Sequence, residues 1–135
     1  MRNPFHEIIM LYNRLPCLKE YYIYIMASKS GTLYVGSTEN IISRVYEHKN
    51  GLLDGFTKRY GCDRLVYYEV FKNKQQMLGR EMQVKKYNRK KKEALIKNLN
   101  PTWKDIAFDW YKDIGPILPL ILRKGIPHLL RQVRD

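Results

Sequence analysis

The sequence predicts an α+β fold: a small three-stranded sheet, antiparallel or mixed, flanked by helices, with helical extensions at both ends. Three observations carry this. Aromatic and β-branched runs with strand character occur at residues 21–27, 32–36 and 64–71. Apolar positions at helical spacing follow at 40–49, 73–87 and 89–99. The resulting order of strand, strand, helix, strand, helix, helix fits helices packed over a sheet, because three strands alone cannot bury both faces. With 135 residues and 16.2 kDa, the chain is expected to hold one domain around one core.

The first strand, Tyr21 to Ala27, is closed by Ser28-Lys29-Ser30-Gly31, the composition of a hairpin turn, and Thr32 to Gly36 is the returning strand. Ser37-Thr38 offers an N-cap for a helix over Asn40 to Lys49, where Ile41, Ile42 and Val45 share a stripe and Asn50-Gly51 is the stop. Leu52 to Asp63, rich in glycine and charge, reads as a loop. Arg64 to Phe71 is the third strand. Asn73 caps a helix that runs to about Tyr87 with Met77, Leu78, Met82, Val84 and Tyr87 as an irregular stripe, interrupted by Gly79. Residues 89–99 form a last helix, basic at its start, which Asn100-Pro101 ends. The domain is thus expected over residues 20–103, preceded by an N-terminal extension, 1–19, and followed by a helical extension, 104–135. Within the latter, Phe108, Trp110, Ile114, Leu118, Ile121, Ile126, Leu129 and Leu130 suggest packing, or a surface for a partner or membrane.

Hydrophobic residues make up 44% and charged residues 28% of the chain, a globular balance that argues against disorder. Lys and Arg number 25 against 13 Asp and Glu, a net charge of +12. A polyanion is the simplest partner for such an excess, with nucleic acid ahead of an anionic membrane surface. Cys17 and Cys62 belong to no CxxC pair and His6, His48 and His128 are scattered, which speaks against a zinc site. The two cysteines suit a reducing compartment, and the protein is expected to be cytoplasmic. No export signal is evident at the start. The apolar run 114–122 is too short and too broken by Gly115, Pro116 and Pro119 for a transmembrane span.

The chemistry-bearing residues follow from periodicity. Strand alternation puts Tyr22 and Tyr24 on one face and Ile23 and Ile25 on the other, and Tyr34 on the partner strand can join the phenol face. Arg44 and His48, four apart on the first helix, are neighbours on one of its faces. Glu81 is in register with Met77 and Val84, so a carboxylate borders an apolar stripe and needs either a partner or a metal. Each residue alone has an ordinary structural reading: a tyrosine in a pleat, an arginine on a solvated face, a glutamate paired to a lysine.

Taken together, Tyr22-Ile23-Tyr24, then Tyr34-Val35-Gly36 ten positions on, Arg44-x3-His48 and Glu81 resemble the GIY-YIG nucleases. Gly31-Thr-Leu-Tyr-Val-Gly36, Glu47-His-Lys-Asn-Gly51, Gly55-Phe-Thr-Lys-Arg-Tyr60 and Asn100-Pro-x-Trp103 are similar to the compact, single-domain bacterial subgroup of that family. The resemblance covers roughly residues 20–103. One departure is Tyr22, which stands where the first triplet carries glycine.

What the resemblance implies is a divalent-metal-dependent endonuclease hydrolysing phosphodiester bonds of structured, damaged or single-stranded DNA, with DNA, or RNA, as its partner. Tyr24 would be general base, with its pKa lowered by cationic charge. Arg44 would stabilise the transition state and Glu81 would bind Mg²⁺ or Mn²⁺. Tyr34 and His48 would orient water or phosphate, and His48 could relay the proton. Asn100 would complete the set. Lys58, Arg59, Lys85, Lys86, Arg89 and Lys90, with Lys91 and Lys92 beside them, would meet phosphates. The rival reading is a non-catalytic nucleic-acid-binding module on the same fold.

Overall fold

A computed structural model of the chain describes residues 20–112. The readings of Cys17, His6, His128 and the apolar run 114–122 lie outside the described residues, as do those of the extensions before residue 20 and after 112.

Strands β1 (Tyr21–Ala27) and β2 (Leu33–Thr38) form the expected hairpin. Its turn is closed by hydrogen bonds from Ser28 N to Thr32 O, 2.9 Å, and from Gly31 N to Ser28 O, 3.1 Å. Gly31 has φ +94°, a left-handed conformation that glycine adopts without strain. Helix α1 (Ile41–Lys49) follows, then the short α2 (Phe56–Tyr60), β3 (Arg64–Phe71), α3 (Lys74–Lys86) and α4 (Arg89–Leu99). The sheet order is β2-β1-β3 and both pairings are antiparallel. The fold is therefore α+β, as predicted, and its sheet is antiparallel instead of mixed.

Two local readings change, and β3 carries a bulge. Ser37 and Thr38 end β2 instead of capping α1, and the cap is Asn40, whose side chain accepts from Ser43 N at 3.1 Å. The segment 52–63 contains α2, one turn and a half long, ended by Gly61 at φ +65°. In β3 the register slips between Ile25 and Met26: Tyr67 pairs with Ile25 and Leu65 with Met26, so Val66 is an extra, bulged residue. The bulge sends Leu65 to one face of the sheet and Tyr67 to the other.

Instead of one core the sheet carries two, one per face. On the first, Ile23, Ile25, Val35, Val66 and Tyr67 meet Met77 and Val84 of α3 and Ile96 of α4. On the second, Tyr24, Met26 and Leu65 meet Ile41 and Val45 of α1, with Cys62 and Ala107. The described part of the C-terminal stretch, 104–112, is built of turns and packs into this second core. It is fastened by Ile106 N to Leu65 O, 2.8 Å, and by the Asp105 carboxylate, which accepts from Leu65 N at 3.0 Å and pairs with Lys49. Cys62 is fully buried, a small apolar side chain whose thiol pKa burial raises.

Candidate active site

Period-two alternation turns Tyr24 and Tyr34 toward α1 and leaves Ile23, Ile25 and Val35 on the opposite face. Tyr24 is wholly buried at the centre of the sheet. Its hydroxyl lies 2.8 Å from Nε2 of His48, and Nδ1 of His48 lies 3.0 Å from Oγ1 of the buried Thr57 at the start of α2. The Tyr34 ring closes the group, with centroids 6.3 Å from Tyr24 and 5.4 Å from His48.

Gly36 explains how so many rings fit. It stands opposite Tyr24 in the β1–β2 register. A Cβ there would come within 2.6 Å of the Tyr24 Cζ and Oη atoms and 2.9 Å of the Tyr34 ring. The glycine of the second triplet is thus the floor of the phenol pocket. Tyr22, in place of the first triplet's glycine, sits away from this floor: its ring leans on Tyr68, centroids 6.2 Å apart, and its hydroxyl donates to Glu20 at 3.2 Å.

Charge enters through α1. Arg44 and His48 share a face, as their spacing predicts, and the Arg44 guanidinium acts on the Tyr24 phenol, favouring its deprotonation. Arg44 is itself held by Glu47, Nε to Oε1 3.0 Å, an ion pair without the alignment of a directed hydrogen bond. Glu47 is fully buried and Arg44 is 30% exposed, so the carboxylate anchors the guanidinium while its outer edge stays reachable. Glu47 enters the sequence reading only as part of the Glu47-His-Lys-Asn-Gly51 motif, with no role of its own; the signal for its role is its i,i+3 spacing from Arg44.

Two pKa shifts define the resting state. Burial, joined by the electrostatic effect of Tyr34, pushes the Tyr24 phenol above its ordinary value, and Arg44 only partly opposes this. The expectation of a lowered Tyr24 pKa is therefore corrected for the resting protein: desolvation outweighs the nearby cation. Burial, and then the Arg44 charge, bring His48 down to about 4. At neutral pH the imidazole is neutral and Tyr24 keeps its proton. The consistent tautomer has Nδ1–H donating to Thr57 and Nε2 accepting from Tyr24.

Glu81 approaches from the other face. It lies on α3, partly buried, where Oε1 accepts from Ser37 Oγ at 2.9 Å and Oε2 is 3.1 Å from Lys85 Nζ. Ser37, Thr38, Asn40, Arg44, Met77 and Leu78 are among the residues lining an open cleft of about 320 Å³. This cleft lies between α1 and α3 at the end of β2, an edge strand. The arginine from one face and the glutamate-bearing helix from the other thus meet at the same sheet edge. Among the described residues, no three His, Cys, Asp or Glu side chains gather as a metal cage. A magnesium ion needs none: one carboxylate, retained waters and a substrate phosphate complete its octahedron. Glu81, already facing a cation and a hydroxyl, fits that part.

Asn100, which the resemblance placed with this set, is held elsewhere. Its Nδ2 donates to Val66 O, 3.0 Å, and Lys104 O, 2.7 Å, and its Oδ1 accepts from Lys104 N, 3.0 Å. It stitches α4 to β3, across the sheet from the β2 edge. Lys58 and Arg59 are exposed on α2, Lys85 and Lys86 on the last turn of α3, and Arg89 and Lys90 on the first turn of α4.

Comparison with known proteins gives the family. Residues 20–94, more than half of the chain, match the family model described as the GIY-YIG catalytic domain. A UPF0213 protein of Staphylococcus saprophyticus is 39% identical over 79 residues, 58% of this chain and 96% of the relative. Another from Clostridium perfringens is 40% identical over 75 residues, 56% of this chain and 81% of the relative. The solution NMR structure of a UPF0213 protein from Bacillus halodurans is 28% identical, with a TM-score of 0.44 covering 67% of this chain and 97% of that one. With its sequence matched to the catalytic-domain model from residue 20 to 94, more than half of its length, the chain belongs to the GIY-YIG family.

Proposed function

We propose that this protein is a divalent-metal-dependent endonuclease that hydrolyses DNA phosphodiester bonds. The observation that carries this reading is the Thr57, His48, Tyr24 hydrogen-bond chain, with the Arg44 guanidinium set against the same phenol beside an open cleft. A neutral imidazole with its tautomer fixed by Thr57 and its free nitrogen accepting from a phenol supports a proton-transfer site.

Hydrolysis requires a proton to leave the attacking water while negative charge grows on the phosphate. A standing phenolate is not needed. The Tyr24 oxygen takes the water's proton as its own passes to His48 Nε2, and the Thr57 contact at Nδ1 keeps that acceptor free. A phenol with a raised pKa and a neutral histidine are the right resting states for such a relay, since neither carries charge until the reaction supplies it. Arg44, always protonated and fixed by Glu47, forks onto phosphate oxygens in the transition state. Tyr34 borders the relay and orients the water or the phosphate. Glu81 would hold Mg²⁺ or Mn²⁺ by one carboxylate, and the bound ion would supply charge neutralisation at the phosphate. Lys85 would then turn from Glu81 to the DNA backbone, alongside Lys58, Arg59, Lys86, Arg89 and Lys90.

The test is cleavage of labelled branched, flapped and single-stranded DNA with Mg²⁺ or with EDTA. Arg44→Ala and Glu81→Ala are each expected to lower the rate by at least about a hundred-fold while DNA binding stays near that of the parent. Undiminished turnover in both variants, or binding without metal-dependent cleavage by the parent, would leave the non-catalytic module as the better reading.

A further inference from the structure

Helix α2 faces two ways. Inward, Thr57 holds His48; outward, Phe56 and Tyr60, one helical turn apart, are 45% and 49% exposed. Their ring centroids are 4.6 Å apart, and Phe56 stacks in turn on Tyr34, centroids 6.2 Å apart with the planes only 28° from parallel. An unbroken run of aromatic rings therefore leads from the proposed reacting group to solvent. Two large rings half in water contribute little to the core, and a five-residue helix has other ways to close its turn.

The charges on the same turn complete the picture. Lys58 and Arg59 are exposed between the two rings in sequence, and Lys58 is loosely paired at 3.5 Å with the exposed Asp54. An open π face flanked by cations matches a nucleobase on its phosphodiester backbone: the base stacks and the phosphates meet the charges. A base inside a duplex has both faces covered by its neighbours, so only an unpaired base can use such a surface.

We propose that Phe56 and Tyr60 form a stacking platform for one unpaired nucleobase beside the cut, so that the preferred substrate is DNA with an unpaired strand at that position. This rests on the nuclease reading for the position of the cut; the stacking itself does not.

Binding is measured with the full chain carrying Glu81→Ala, which separates it from cleavage. The probes are a short single strand and a matched duplex, each holding one fluorescent adenine analogue whose emission falls on stacking. The single strand is expected to be quenched on binding and the duplex not. Phe56→Leu with Tyr60→Leu, which keeps apolar bulk, should weaken single-strand binding by about ten-fold and abolish the quenching, with duplex binding hardly moved. Phe56→Trp with Tyr60→Phe, which keeps both π faces, should bind as the parent does. Equal single-strand affinity in the leucine pair, or an equal loss on both substrates, would overturn the platform. Quenching by the Glu81→Ala chain, together with no metal-dependent cleavage by the parent chain, would instead sink the nuclease reading and leave the platform standing.

Discussion

At the scale of single residues the site depends on atoms that are absent as much as on those present. Gly36 has no side chain where a Cβ would collide with the Tyr24 phenol. Gly36→Ala should therefore cost about 1–3 kcal/mol by overpacking, read as a lower urea midpoint, and slow cleavage at least ten-fold because the phenol must move. An unchanged midpoint would show that the pocket yields freely. His48 makes a second residue-scale prediction. Unfolded, its imidazole titrates near 6.5; folded, near 4. Between those values the unfolded chain binds the extra proton, so this residue's contribution is complete above about pH 6.5 and is lost as the pH falls toward 4. The loss is on the order of 3 kcal/mol and should appear as a pH-dependent difference between parent and His48→Gln in denaturation curves taken across that range, since the glutamine variant has no such group to titrate. NMR of the imidazole nitrogens should report a neutral ring protonated at Nδ1 at pH 6. A charged ring there would remove the proposed acceptor of the Tyr24 proton.

At the scale of elements, the pairs of residues that join one segment to another carry the argument. Asn100 ends α4 and binds the backbone of β3 and of the following turn. Asn100→Ala leaves those buried groups without partners and should cost about 1–3 kcal/mol of stability, while cleavage per folded molecule at low temperature stays within about two-fold of the parent, given that Asn100 is remote from the proposed reacting atoms. A large loss of rate at full stability would return Asn100 to the catalytic set. The same scale shows where sequence reading succeeds. β1, β2, α1, α3 and α4 were legible because strand or helix spacing, however irregular in α3, runs through each, and Asn73 marked the start of α3; the Asn88 cap of α4 emerges only in the structure. Helix α2 was hidden because five residues are too few for a period to appear. The bulge at Val66 was hidden because it is a relation between two strands, and nothing in Arg64–Phe71 alone records which residue its neighbour skips.

Across the whole molecule the excess of positive charge becomes a distribution. The basic side chains of α2, the end of α3 and the start of α4 are exposed, whereas Arg80 is drawn inward to Glu69, Nη2 to Oε2 3.0 Å, and Lys49 to Asp105. Replacing Lys85, Lys86, Arg89 and Lys90 together by alanine should therefore weaken DNA binding at low salt. It should also flatten the plot of log affinity against log salt by about three units of slope. An unaltered slope would place the phosphate contacts elsewhere. Among the described residues no helix is long and apolar enough to cross a membrane.

The sequence by itself determined the family, the antiparallel-capable strands, the two faces of β1 and the side chains able to do chemistry, because residue type and period are written locally. Only the tertiary structure decided that the sheet would have a core on each side and that Glu81 would reach the Arg44 edge from the opposite face. It also decided that Asn100 would bind the backbone of β3 and of the following turn, and that burial would raise the Tyr24 pKa. Desolvation, register and close approach depend on atoms far apart in the chain, and no local pattern encodes the distance between them.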